Sequence, residues 1–241
     1  MAGPAPQARP RAAWLRRLGV AFLLGAPGAA HAGAWVAPDG DRTIVGAAYG
    51  ETEEASTVET DLFIEAPLNS RISVVASHWS QTVTTFDGTE TRNESVLSGK
   101  YRLLRGDRSV VSVQSGVVWD SRASGACGEW GGEARVLAGA ATRGGRFFAT
   151  GELGARSQGS DCIHARYDLT LGVKPHRRIL GLAQVFVDDD LTYGESLKAQ
   201  ASVVAFERNG RGVQLGVRMR LDAGEFIEPT ILLSYWSALR R

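Results

Sequence analysis

No stretch of this 241-residue chain strings together the ~18 apolar residues that a membrane-spanning helix needs. The nearest approach, LGVAFLLGA at Leu18–Ala26, is about half that length and is followed at once by Pro27. An excess of charge is missing too. With 27 Lys and Arg against 26 Asp and Glu, the chain lacks the basic footprint of a nucleic-acid binder. Two cysteines and four histidines supply no third or fourth ligand at a metal-site spacing. The run Asp188-Asp189-Asp190 is not followed by the Gly-spaced ligands of a calcium loop. Phosphate-binding loops and dinucleotide fingerprints are lacking as well. The expectation is therefore no cofactor, no metal and no nucleic-acid partner, and the residues argue against an enzyme more than for one.

What is present at the start is a processing signal. Arg9, Arg11, Arg16 and Arg17 precede the apolar run, and small residues ending in Ala30-His31-Ala32 follow it. That order is the n-region, h-region and A-x-A site of a secretory leader spanning 1–32. Its removal takes away four arginines and no acid, leaving 23 basic groups against 26 acidic ones over 33–241. An exported chain meets oxidising conditions, so Cys127 and Cys162 are expected to form a disulfide.

The remaining residues alternate. Val213–Leu221, VQLGVRMRL, puts Val213, Leu215, Val217, Met219 and Leu221 on one face and Gln214, Gly216, Arg218 and Arg220 on the other. Period two is the signature of a strand with one apolar and one polar side. The same reading gives strands at Thr43–Gly50, Thr57–Glu65, Arg71–Gln81, Glu94–Leu104, Ser109–Asp120, Glu133–Thr142, Arg146–Arg156, His164–Val173, Ile179–Asp188, Leu197–Glu207 and Thr230–Ala238. Twelve strands result. The tight connections PLNS, RGD, GG, PHRR and NG mark one end, and longer, more polar loops are expected at the other. The segment TVTTFDGTETRN (82–93) reads as one of those loops.

Two architectures fit such alternation: a soluble sandwich with its charges in water, or a closed barrel with its apolar side in lipid. Charges recur inside the strands rather than at loop tips, and the strands run close to the ~9–11 residues that cross a bilayer. An arginine facing lipid at mid-membrane would cost ~2–4 kcal/mol. The polar faces must then look inward, which assigns Lys100, Arg102, Arg135, Glu152, Arg156, Arg166, Asp168, Lys198, Arg218 and Arg220 to the lumen, with Glu59, Asp61, Glu65 and Glu133 among them. The fold expected is all-β, a closed antiparallel up-and-down transmembrane β-barrel of about twelve strands.

One constellation carries catalytic types. His78 and Ser80 share a strand face, with Asn93 beyond the next loop, an arrangement in which His could serve as base to Ser and an amide could orient the ring. The arrangement loosely resembles the His-x-Ser…Asn pattern of outer-membrane phospholipase A. The Asn-Gly which that resemblance implies after the Ser is replaced here by Gln81-Thr82. These three residues stand as candidates only.

On the A-x-A/GAW junction, the hairpins around NG, GG and PHRR and the closing strand ILLSYWSA, the mature region resembles the small outer-membrane β-barrel proteins of Gram-negative bacteria, porin-like or transporter-like. The resemblance implies an outer-membrane location, contact with outer-membrane lipid and with the barrel-assembly machinery, and a monomeric barrel. It further implies a channel for small solutes, which the inward cations would bias toward anions. The alternatives are a phospholipase A-type lipid hydrolase using His78 and Ser80, or a structural or adhesive barrel.

Overall fold

The computed structural model describes residues 41–121, 127–159, 162–190, 194–222 and 225–239; the leader expected at 1–32 lies outside them. Every described element is a strand: β1 (Asp41–Glu51), β2 (Ala55–Pro67), β3 (Ile72–Thr85), β4 (Gly88–Arg105), β5 (Ser109–Asp120), β6 (Trp130–Ala141), β7 (Phe147–Ser157), β8 (Ile163–His176), β9 (Ile179–Asp190), β10 (Gly194–Phe206), β11 (Gly212–Asp222) and β12 (Glu225–Leu239). Each strand pairs antiparallel with its sequence neighbours, and β1 pairs with β12 from Asp41↔Leu239 to Gly50↔Thr230, which closes the barrel. Closure leaves no unpaired edge, the condition for strands to cross a hydrocarbon layer.

The faces divide as the period demands. On β11, Val213, Leu215 and Val217 are 49%, 59% and 41% exposed on the outer side, while Gln214 between them is 5% exposed on the inner side. Tyr49, Leu97, Leu153, Leu171, Val203, Leu233 and Tyr235 are likewise exposed around the outside. An apolar shell facing outward with polar groups inside inverts the soluble arrangement and matches a barrel set in lipid.

Two expectations need correction. Residues 82–93 are ladder rather than loop, because β3 and β4 stay paired from Ile72↔Tyr101 to Thr85↔Gly88 and turn through residues 86–87. Polarity suggested a loop, but Thr is β-branched and suits a strand however hydrated its surroundings. Cross-strand hydroxyl bonds Thr82–Thr91 (3.1 Å) and Thr84–Thr89 (3.3 Å) hold this tall hairpin. Nor do the two ends differ cleanly in connection length. Extended strands shrink most of the far-end links, 52–54, 86–87, 158–162, 191–193 and 223–224, to the size of 68–71, 106–108, 142–146, 177–178 and 207–211 at the turn end. Only the link across 121–129 is long.

The interior also holds more oil than the alternation suggests. Ala141, Phe148, Leu180, Leu182 and Val204 form a buried cluster, with Phe206 and Trp236 packed against it. Each lies within a few residues of a turn-end connection or, for Trp236, beside such residues, so the cluster sits at the turn end of the lumen. Phe206 and Trp236 meet edge to face at 6.1 Å, and the Trp236 indole donates to Gln214 at 2.8 Å. Phe148 lies over Gly172 on the neighbouring strand, where a Cβ would fall inside the ring.

That contact is testable. Gly172→Val should displace the Phe148 ring and cost about 1–3 kcal/mol through overpacking. Adding Phe148→Ala should recover part of the loss, as read from urea unfolding midpoints of the four members of the cycle in detergent.

Candidate functional site in the inner wall

The inner faces carry charge in three groups, each built from several strands. In the first, Arg156 on β7 reaches over β6 and β5 to Glu94 on β4. It grips both carboxylate oxygens, Nη1 at 2.6 Å and Nη2 at 2.9 Å, while Nε and Nη2 donate to Glu133 at 3.1 and 2.8 Å. A planar guanidinium satisfies a carboxylate with two parallel bonds, which fixes direction as well as distance. Arg135 continues the chain from Glu133 to Glu152 (3.3 Å) and Asp168 (3.7 Å). Arg166 lies 3.6 Å from Glu94 and 3.6 Å from Asp188. At the far end, Arg92 holds Asp120 through Nε and Nη2 and stacks 5.8 Å over Trp79.

The second group centres on Glu59 of β2. Arg218 of β11 donates to it at 2.6 Å across β1 and β12, Gln81 at 3.1 Å and Trp79 at 3.4 Å, and Lys198 of β10 stands 3.9 Å away. Arg218 also donates to Gln200, which passes the chain to Gln184 and Thr170. The third group lies toward the turn end. Lys100, 2% exposed, pairs with Glu65, 0% exposed, at 2.6 Å, and the Ser73 hydroxyl donates to the same carboxylate at 2.8 Å.

Of the residues expected in the lumen, Lys100, Arg135, Glu152, Arg156, Arg166, Asp168, Lys198 and Arg218 thus enter these groups. Arg102 sits apart at the turn end, its backbone bonded to Arg71, and Arg220 is exposed opposite Lys198 near the other end. Sequence reasoning passed over Glu94, Arg92, Asp120 and Asp188. Glu94 has the same parity as Lys100 on one strand, a signal that was available. Arg92 was hidden by the loop assignment.

His78 is not bonded to Ser80, its candidate partner. It faces outward, its Nδ1 2.9 Å from Ser95 Oγ, whereas Ser80 stands in register with Asn93. Among the described residues no acid or amide bonds the second ring nitrogen of His78.

Cys127 and Cys162 are bonded to each other, tying the link after β5 to the link after β7 across 35 residues. A closed loop of that size lowers unfolded-chain entropy by about 4 kcal/mol on the loop-closure account. His164 Nε2 lies 3.2 Å from Cys162 Sγ, so the pair does have a third potential ligand close by, which its sequence spacing did not suggest. With both thiols oxidised, the cluster is a covalent tie rather than a metal site.

Arg156→Ala would remove the fork that joins Glu94 to Glu133, leaving Glu133 to Arg135 and Glu94 to the more distant Arg166 and Arg92. The expected loss is roughly 3–5 kcal/mol, the cost of breaking a buried pair. Arg156→Lys, which cannot make the fork, should fall between alanine and wild type in urea unfolding.

No family model matches the chain, and no curated protein matches it in sequence. Solved structures do match it in fold. The NanC porin superposes with TM-score 0.61 at 11% identity, covering 82% of this chain and 99% of that one. The KdgM porin gives 0.59 at 4% identity, covering 82% and 99%. An outer-membrane channel from Pseudomonas putida F1 gives 0.59 at 10% identity, covering 88% and 100%. What the chain shares with these porins and channels is the fold, which here is a closed twelve-stranded antiparallel β-barrel.

Proposed function

We propose that this protein is a monomeric channel for small polar solutes in the outer membrane of a Gram-negative bacterium, exported by a leader at 1–32 and folded by the barrel-assembly machinery as residues 33–241. The observation that carries the reading is a closed apolar shell around an inner wall of paired charges. A bore lined with guanidiniums and carboxylates offers a solute replacements for its hydration shell that hydrocarbon does not. The turns face the periplasm in this reading, as short turns do in outer-membrane barrels.

Two features set what passes. The apolar cluster of Phe148, Leu180, Leu182, Val204, Phe206 and Trp236 narrows the periplasmic end, and apolar constrictions resist wetting. The cations that sequence reading expected to favour anions mostly stand against carboxylates, so selectivity between ions is modest. One solved relative in fold is described as a KdgM porin in complex with disordered oligogalacturonate, an acidic sugar chain. Here the balanced wall suits small solutes with polar groups of both signs. A lipid hydrolase finds less support, since His78 is engaged by Ser95 rather than Ser80.

Single-channel recording in planar bilayers tests the proposal. The wild type should show small, weakly ion-selective steps, and Phe148→Ala with Phe206→Ala should raise conductance at least about twofold by opening the constriction. Glu94→Gln with Glu133→Gln should shift the reversal potential toward anions. Absence of steps in all of these variants would replace the channel by a structural barrel.

A further inference from the structure

The outer wall is not evenly clad. Across β8, β9, β10, β11 and β12, one register row reads Leu171, Ala183, Ala201, Val217, Ile231. The next row toward the turns passes through Gly181. Small residues on β9 and β10 between large ones on either side leave a recess of about 1030 Å³. Its floor is Gly181, Ala183 and Ala201, and its rim includes Leu171, Val203 and Leu215, each at least half exposed. These side chains point away from the lumen, so the recess opens toward the surrounding bilayer.

The floor runs toward the turns. Arg178 precedes Ala183 by five residues, which is ~17 Å along a strand and ~12 Å of depth at a 45° tilt. One leaflet of a ~30 Å hydrocarbon layer is ~15 Å deep. At the foot stand the connections 142–146, 177–178 and 207–211, carrying Arg143, Arg146, Arg177, Arg178, Arg208 and Arg211, all exposed. No described carboxylate forms an ion pair with any of the six. The one acid in these connections, Glu207, accepts from Asn209 at 2.9 Å. The opposite end is acidic, with Glu51, Glu53, Glu54, Asp87 and Glu129 exposed.

We propose that the recess and the arginines below it form one site for an anionic phospholipid of the turn-side leaflet. An acyl chain lies over Gly181, Ala183 and Ala201, and the headgroup phosphate is held by guanidiniums of the three turns. Planar guanidiniums match phosphate oxygens two at a time, and a cluster without carboxylate partners gains most from a bound anion. The proposal depends on the reading of the outer wall as lipid-facing but not on conduction.

Native mass spectrometry of the intact mature barrel tests it, after incubation with equimolar phosphatidylglycerol and phosphatidylcholine. Heat-modifiable migration on gels confirms folding of each variant separately, so failure of the barrel reading would show there first. Phosphatidylglycerol should be retained over phosphatidylcholine by on the order of tenfold. Arg146→Ala with Arg178→Ala and Arg208→Ala should abolish that preference while leaving phosphatidylcholine retention unchanged. Ala183→Leu with Ala201→Leu should lower retention of both lipids by filling the floor. Equal retention of the two lipids by the wild type would overturn the proposal. So would displacement of phosphatidylglycerol by millimolar inorganic phosphate, or a second copy of the chain seated in the recess in place of lipid.

Discussion

A guanidinium reaching over two neighbouring strands to a carboxylate is the interaction on which this interior depends. A sheet ladder fixes only adjacent strands, and a twelve-stranded cylinder has more room inside than eight strands, whose side chains just fill it. Arg156 to Glu94 and Arg218 to Glu59 each skip two strands. They therefore set the distance between wall segments that share no backbone hydrogen bond. Their strength comes from partial dryness: Arg156 and Glu133 are buried, where charge pairs are less screened than at a surface. The same dryness makes each pair a commitment, since neither charge is tolerable alone.

The inner wall changes character along its axis. Charged groups occupy the middle and the acidic end, Gln and Ser bridge toward the turns, and aromatic and aliphatic side chains finish the turn end on the β6 to β12 side. Lys100 with Glu65 and Ser73 occupies the β2 to β4 side. Gln214 joins the regimes, donating to Ser202 and accepting from the Trp236 indole. Along this axis the lining therefore passes from alternating charge to aromatic and aliphatic groups.

The strand count, the inward face of β11 and the pairing of β6 with β7 could be read from alternation and turn chemistry, because period two and Gly-Gly or Asn-Gly turns are local properties. What escaped were properties of closure. Nothing local to Arg156 points to Glu94, 62 residues away, and nothing near Arg218 points to Glu59. Phe148 and Leu182 read as unremarkable apolar residues, yet their parity puts them inside. The Thr-rich arms of the β3–β4 hairpin read as loop because polarity outweighed β-branching in that window. His78 kept its face but changed its partner, since register rather than spacing along one strand decides which hydroxyl a ring nitrogen meets.

The barrel closes where β1 meets β12, on the opposite side from the disulfide that joins the links after β5 and β7. Inside it, Gly46, Ala48 and Gly50 keep the first strand low, and a side chain at Gly46 would collide with Asp61 and Ser234. Over this bare strip passes the bond from Arg218 to Glu59, whose two strands flank the joining pair. The cylinder is thus clasped from within by opposite charges at the one place where no loop links the neighbours. The absence of side chains at Gly46 and Gly50 leaves room under the clasp for Asp61, Ser234 and Thr230.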